Sequence, residues 1–386
     1  MAGVEEVRAQ ALEVATGWSP PAAPPSWSLT AGLFRVIAGH EPLLGRLAVL
    51  PPGRLPALLA SAAISFLVHR DRPQPLARYF PQPGAPQPAF DAGFFPAAGA
   101  FITARLEEIA AVCGQRRYQM NEVARCTQIA LGISWAAGPG EPVALADLGA
   151  AAGFGLHLDR YRYQAGPRRF GPPGAAVTLA CEVRGPHPVP PAGLPVIAER
   201  AGIDINPVDV RDPAARAWLQ ACTPPEASAL ARLATALDIT RHHPAQIIAG
   251  DVIDTLPGVL ERFPPGRHVI VTDAYLAVFL PPDRLAQLQD VLTSAGRSRK
   301  VTWLSLDPLV PLGPSGRHSV QGLALPGWLV RDYQRHGVFA VLGARTFHRG
   351  TSPGRLLARA HPSGQWIEWL TAEPPGTQTS ASIAQP

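Results

Sequence analysis

The chain has 386 residues, 47% hydrophobic and 16% charged, with a formal charge of +5 at pH 7. At roughly 150 residues per domain that is enough for about two to three units with a real core, which excludes a wholly disordered chain. The 44 prolines and 36 glycines follow no three-residue period, which excludes collagen.

Residues 1–140 read as mostly helical, with helical patterns at 4–16, 29–49, 55–69, 100–113 and 117–136. The stretch Asp71 to Gly99 is broken by seven prolines and is predicted to be a surface loop. From residue 142 the pattern changes. Val143 to Ala146 is a short apolar run ending in Asp147 and Gly149, and further runs end at Asp204, Asp251, Asp273 and Asp307. Helical segments lie between most of them. Leu285, Leu288 and Val291/Leu292 form the stripe of one, with Asp283 as its expected N-cap. Strand and helix alternating in this way predict a mainly parallel sheet covered on both faces, an α/β fold of Rossmann-like kind. Late strands are expected at 338–342 and 356–370, the second with a turn at Pro362-Ser363-Gly364, and residues 371–386 read as a disordered tail. The predicted organisation is a helical cap (1–140), a sheet domain (141–370) with an insertion at about 164–200, and the tail.

All but one of the 34 Lys and Arg residues are arginine, Lys300 being the exception, and no dense basic run occurs. Such a surplus reads as coding bias, so nucleic acid is not expected as the main ligand. Cys113, Cys126, Cys181 and Cys222 have no CxxC spacing, so no metal site is expected. The first residues lack a signal pattern, and the longest apolar run, Leu55 to Val68, is too short for a bilayer. A cytoplasmic protein without a membrane partner is the expectation; the oligomeric state is open.

The chemistry is concentrated in Asp147-Leu-Gly149-Ala-Ala151-Ala-Gly153-Phe-Gly155, which comes after a strand and is predicted to open a helix. In an open parallel sheet that turn lies at the carboxyl edge, where ligands bind. A dinucleotide fingerprint counted from Gly149 would need glycine at Ala151 and Phe154, which argues against an NAD-type oxidoreductase. The nucleoside turn of class I methyltransferases, acid-x-Gly-x-Gly-x-Gly, fits better: Asp147, Gly149 and Gly153 match and Ala151 adds one methyl. Asp204 ends a strand where a carboxylate can accept ribose hydroxyls. Gly250-Asp251 looks like the adenine-facing segment, and Thr272-Asp273-Ala-Tyr275 like the fourth-strand segment. The gap between Asp147 and Asp204 requires an insertion. Val177, Leu179, Cys181 and Val183 alternate like a strand within it; such a strand inside the main sheet would put the place of Asp204 as the ribose acid in question.

Gln119-Met-Asn121-Glu122-Val-Ala-Arg125-Cys126, the glycine turn, Leu158-Asp159-Arg160-Tyr161-Arg-Tyr163, Cys181-Glu182-Val-Arg184-Gly185 and Ile203-Asp-Ile-Asn206-Pro207 together resemble a bacterial family, domain of unknown function 2332, over about 29–370. The resemblance implies a methyltransferase-like fold and names no substrate. This chain departs from the family pattern at Gly155, where Asn is frequent, and at His157, where an aliphatic residue is frequent.

These readings converge on a methyltransferase that binds S-adenosylmethionine and acts on a small-molecule substrate by in-line transfer, with the helical region covering the sheet's carboxyl edge. The alternative is a non-catalytic nucleoside-binding or partner-binding protein on the same scaffold. The expected cofactor residues are Asp147, Gly149, Ala151, Gly153, Asp204, Asp251 and Asp273. Asn121, Arg125 and Tyr275 are expected to bind substrate; Asn121 and Arg125 would share one face of the helix predicted over 117–136. Glu122, Asp159 and Tyr161 are the catalytic candidates. Trp303, Trp366 and Trp369 are expected to pack, and Cys126 to be a small buried residue.

Overall fold

Because the longer predicted stretches break, the N-terminal periodicity becomes helices that are more numerous than predicted. They are α1 (Val4–Gly17), α2 (Ser28–Gly39), α3 (Glu41–Leu47), α4 (Pro56–Arg70), α5 (Phe94–Ala104) and α6 (Leu106–Gln115) in a computed structural model that describes residues 3–20, 23–190, 193–308, 311–312, 317–336 and 339–370. The single helix predicted over 29–49 breaks at His40, whose Nδ1 accepts the Leu43 N–H at 3.2 Å and starts α3. A side chain competing for the backbone in this way ends one helix and caps the next. The helix predicted over 100–113 breaks at Arg105, and α5 begins inside the predicted loop, which also holds a 3-10 turn at Pro75–Tyr79.

Two compact units result. The first comprises residues 1–123 together with 208–243 and 334–337. Its core is built from Leu33, Phe34, Leu44, Leu67, Phe94 and Ile109, with Trp218 and Cys222 added by α8 (Pro213–Cys222). The helix α9 (Ala227–His242) comes next. No single described helix is long and apolar enough to cross a membrane.

The second unit contains the sheet. Its strands are β1 (Pro142–Leu148), β2 (Arg162–Ala165), β3 (Arg168–Phe170), β4 (Thr178–Arg184), β5 (Val196–Asp204), β6 (Ile247–Ala249), β7 (His268–Ala274) and β8 (Val301–Pro308). After a small three-stranded sheet of β9 (Pro311–Leu312), β10 (Arg317–Val320) and β11 (Leu323–Ala324) come β12 (Ala340–Phe347), β13 (Gly354–Ala360) and β14 (Trp366–Trp369). Among the described residues eleven strands form one mixed, mostly parallel sheet, ordered β3-β2-β4-β14-β13-β12-β8-β7-β1-β5-β6. The five strands from β8 to β6 are parallel throughout, and β12 runs antiparallel beside β8.

Helices cover both faces, as the unbroken buried runs of β7 and β8 demand. Ala144, Ala146, Val271 and Trp303 face α10 (Val252–Arg262) and α11 (Pro282–Ala295), with Leu288 and Leu292 of the predicted stripe buried there. The N-cap of α11 is Pro281, with Asp283 inside the first turn. The alternate face meets α7 (Arg125–Ala136), where a Cβ on Gly132 would stand 3.3 Å from Leu342 and 3.4 Å from Leu304. The inserted strand β4 does join the main sheet, but beside β14, far along it from β1; β5 keeps the place next to β1.

The late hairpin closes on α7. Gly364 has φ +74°, and a Cβ there would lie 2.5 Å from the Ala124 carbonyl carbon. Gly364→Ala is therefore expected to lower stability by at least about 1–2 kcal/mol, read by thermal unfolding. An unchanged midpoint would mean that the hairpin does not sit this close to the helix.

Candidate functional site

The strand β1 has β5 on one side and β7 on the other, so the chain leaves it at a point where the winding of the sheet reverses. The turn after it is tight. Gly149, Ala151 and Gly153 have φ of +70°, +48° and +82°. The first and third suit glycine; Ala151 holds a conformation that costs an L-residue energy. The turn is tied to β5, with Gly149 N–H and Ala150 N–H donating to the Ile203 carbonyl at 2.8 and 3.1 Å. The Asp204 carboxylate accepts Ala151 N–H at 2.8 Å on one oxygen and Asn206 N–H at 2.7 Å on the other. The turn leads into a short 3-10 segment, Phe154–Arg160, and not into the helix predicted there.

Asp147 stands at the centre. Its Oδ1 accepts the Thr272 hydroxyl at 2.8 Å, and its other oxygen lies directly against the Gly155 α-carbon, where a Cβ would overlap it. Burial, joined by the neighbouring Asp273 and Asp204 carboxylates, pushes its pKa up to about 7 against the Thr272 hydrogen bond. Asp251 is engaged differently. It caps α10 by accepting Ile253 N–H at 2.9 Å, and it pairs with Arg284 at 2.6 Å. Partial burial works against its ionisation, but the Ile253 N–H and the Arg284 guanidinium prevail and hold it below the usual carboxylate range.

Asp273 is wholly buried and accepts the Trp303 indole N–H at 2.6 Å, so the packed Trp303 also has a polar task. The hydroxyl of Ser305 lies 3.2 Å from Asp273 and closer still to Asp307, a buried acid at the end of β8. Burial pushes Asp273 up to about 6 and Asp307 well above the ordinary range, the charge of Asp273 adding to the latter. Asp307 belongs with these site residues. In the sequence it is visible only as one more strand-end acid; its partner Ser305 lies two residues earlier, on the same face of the strand.

The remaining candidates separate. Asp159 is held by Arg200 of β5 through two bonds of 2.8 and 2.6 Å, and the same guanidinium donates to the Leu156 carbonyl at 2.6 Å. Tyr161 and Tyr163 are buried, their hydroxyls donating to the Phe154 and Leu158 carbonyls at 3.2 and 2.7 Å. Cys126 is buried as expected. Asn121 and Glu122 are not helical, because α7 begins only at Arg125; the shared helical face expected for Asn121 and Arg125 does not exist. Glu122 belongs to the helical unit and pairs with Arg232 of α9 at 3.2 Å. In that unit burial and the charge of Glu122 push Glu226 up to about 7, while its carboxylate accepts the Ser26 hydroxyl at 3.1 Å. Arg125 belongs to the sheet unit; it donates to the Pro362 carbonyl at 2.6 Å and lies over the Tyr275 ring, 3.9 Å from its centroid.

This geometry makes two substitutions informative. Ala151→Gly is expected to raise stability by about 0.5–1 kcal/mol, because glycine takes the left-handed conformation without strain; a lower melting point would show that the methyl packs. Asp147→Asn keeps an acceptor for Thr272 and removes a carboxylate whose folded pKa is raised to about 7. Such a group favours the fold most below its unfolded pKa near 4 and loses that contribution as pH rises to 7. The variant should therefore match the wild type at pH 4 and exceed it in melting temperature at pH 8; a constant difference across pH would contradict the shift.

No curated protein matches this chain. The family described as "Uncharacterized protein conserved in bacteria (DUF2332)" matches residues 19–369, nearly the whole described chain, and the protein belongs to that family.

Proposed function

We propose that the sheet unit binds S-adenosylmethionine and transfers its methyl group to a small molecule still to be identified. The observation that carries the reading is Asp147, a carboxylate at the reversal point of the sheet with one oxygen on Thr272 and the other facing the glycine turn. The order β6-β5-β1-β7-β8, with an antiparallel strand beyond it, supports a Rossmann-like methyltransferase sheet, since ligands of doubly wound sheets bind at such a point.

The residues fit the group. A carboxylate facing the turn suits the ammonium of the cofactor's amino-acid end. A Cβ at Gly149 would have the Leu276 side chain as its nearest neighbour, at 3.5 Å, and glycine leaves the backbone of the turn bare for close approach. Asp204 uses one acceptor position on one oxygen for the turn and one on the other for Asn206, and keeps the rest for ribose hydroxyls. S-adenosylmethionine supplies the activated methyl. The protein's own part is alignment: Asp147 and the turn fix one end, and Arg125 and Tyr275 bound the acceptor side. Asp159 and Tyr161 serve the fold in this reading, through Arg200 and the Phe154 carbonyl.

A non-catalytic nucleoside-binding role is favoured by one observation, that the catalytic candidates Asp159 and Tyr161 are taken up by the fold. The two readings share the binding site and differ in turnover. Thermal unfolding of Asp147→Ala tests the site itself. S-adenosylmethionine at about a hundredfold excess over Kd should stabilise the wild type by about 2.7 kcal/mol and leave the variant unshifted. An equal shift in both would overturn the assignment of Asp147.

A further inference from the structure

Tyr275 comes directly after β7 and holds φ +66°, a left-handed conformation that a bulky residue adopts at a cost. Its backbone is fixed there by its N–H, which donates to the Leu306 carbonyl at 2.8 Å. The ring is fixed by Arg125 at 3.9 Å. Yet the phenolic oxygen these restraints position is buried and finds no hydrogen-bond partner among the described residues. A buried hydroxyl left without a partner costs stability, so a residue strained, stacked and idle in this way has its task outside the fold.

The charges around it define what it can meet. Arg125, Asp307 and Tyr333 are its electrostatic neighbours. Ser305 has one proton and lies within hydrogen-bond distance of both Asp273 and Asp307. It can donate to only one of them; the second contact is a hydrogen bond only if the other carboxyl carries a proton. Burial favours the protonated form at both acids, and the Arg125 guanidinium is one of the charges acting on Asp307. A ligand group bringing a net charge into this place would be left uncompensated in a medium of low polarity.

We infer that Tyr275 Oη is the hydrogen-bond partner of an uncharged hydroxyl on the small molecule bound at the carboxyl ends of β7 and β8. The inference rests on the proposed acceptor side of the site and names its chemistry: an alcohol or phenol, and neither a carboxylate nor an amine.

The test uses the full chain, with phenol, benzoate and benzylamine as probes of matched size, titrated by ligand-observed NMR. Phenol should bind the wild type at least about tenfold more tightly than either charged probe. Tyr275→Phe should weaken phenol about tenfold, the ordinary worth of one hydrogen bond. Its melting temperature should stay level or rise, because no internal hydrogen bond is lost. The inference is overturned if the wild type binds no phenol, if the charged probes bind as well, if the variant keeps wild-type affinity, or if the variant melts several degrees lower, which marks a structural hydroxyl. A parallel titration with S-adenosylmethionine separates the two readings. Loss of phenol in the variant with no cofactor binding by either protein keeps the hydroxyl subsite and rejects the cofactor; cofactor binding by both proteins with unchanged phenol affinity does the reverse.

Discussion

The Asp204 carboxylate fastens two strands at the place where the sheet reverses its winding. One oxygen takes the Ala151 N–H from the turn after β1, and the other takes the Asn206 N–H just past the end of β5. Without that clamp the left-handed series Gly149, Ala151, Gly153 would have little to offset the strain at Ala151. With it, the turn is pinned, and Asp147 faces it from beneath with Gly155 close above its carboxylate. The polar geometry of the carboxyl edge near β1 rests on this side chain together with the Gly149 and Ala150 N–H bonds to the Ile203 carbonyl.

A second polar system lies beyond β7. Asp273, Trp303, Ser305 and Asp307 form a buried chain of hydrogen bonds on one face of β7 and β8. Arg125 and Tyr275 stack next to Asp307. Buried carboxyls without full compensation are costly, and sequences keep them where a site needs them more than the core does. Asp159 and Arg200 show the contrast: two opposite charges in a fork geometry, each compensating the other.

Much of this is legible in the sequence because it is local. Apolar runs ending in Asp147, Asp204 and Asp273 announce parallel strands, and all three acids stand at the carboxyl edge. The turn is readable because only small residues tolerate its backbone. What the sequence hides is whatever long-range pairing decides. Glu122 and Arg125 look like helical neighbours, but the helix starts at Arg125, and Glu122 finds Arg232, 110 residues away. Asp251 looks like a ligand acid, yet Arg284 claims it from the next helix. The strand at Thr178–Arg184 is expected from its alternation, but nothing local says that it pairs with Trp366–Trp369 and so leaves β5 beside β1.

The central claim is that the pinned turn and Asp147 form a nucleoside site for a sulfonium cofactor. Isothermal titration of the full chain with S-adenosylmethionine, and separately with NAD, tests it most directly. Micromolar binding of the first and none of the second is the predicted result. Binding of NAD, or of neither, would contradict the account.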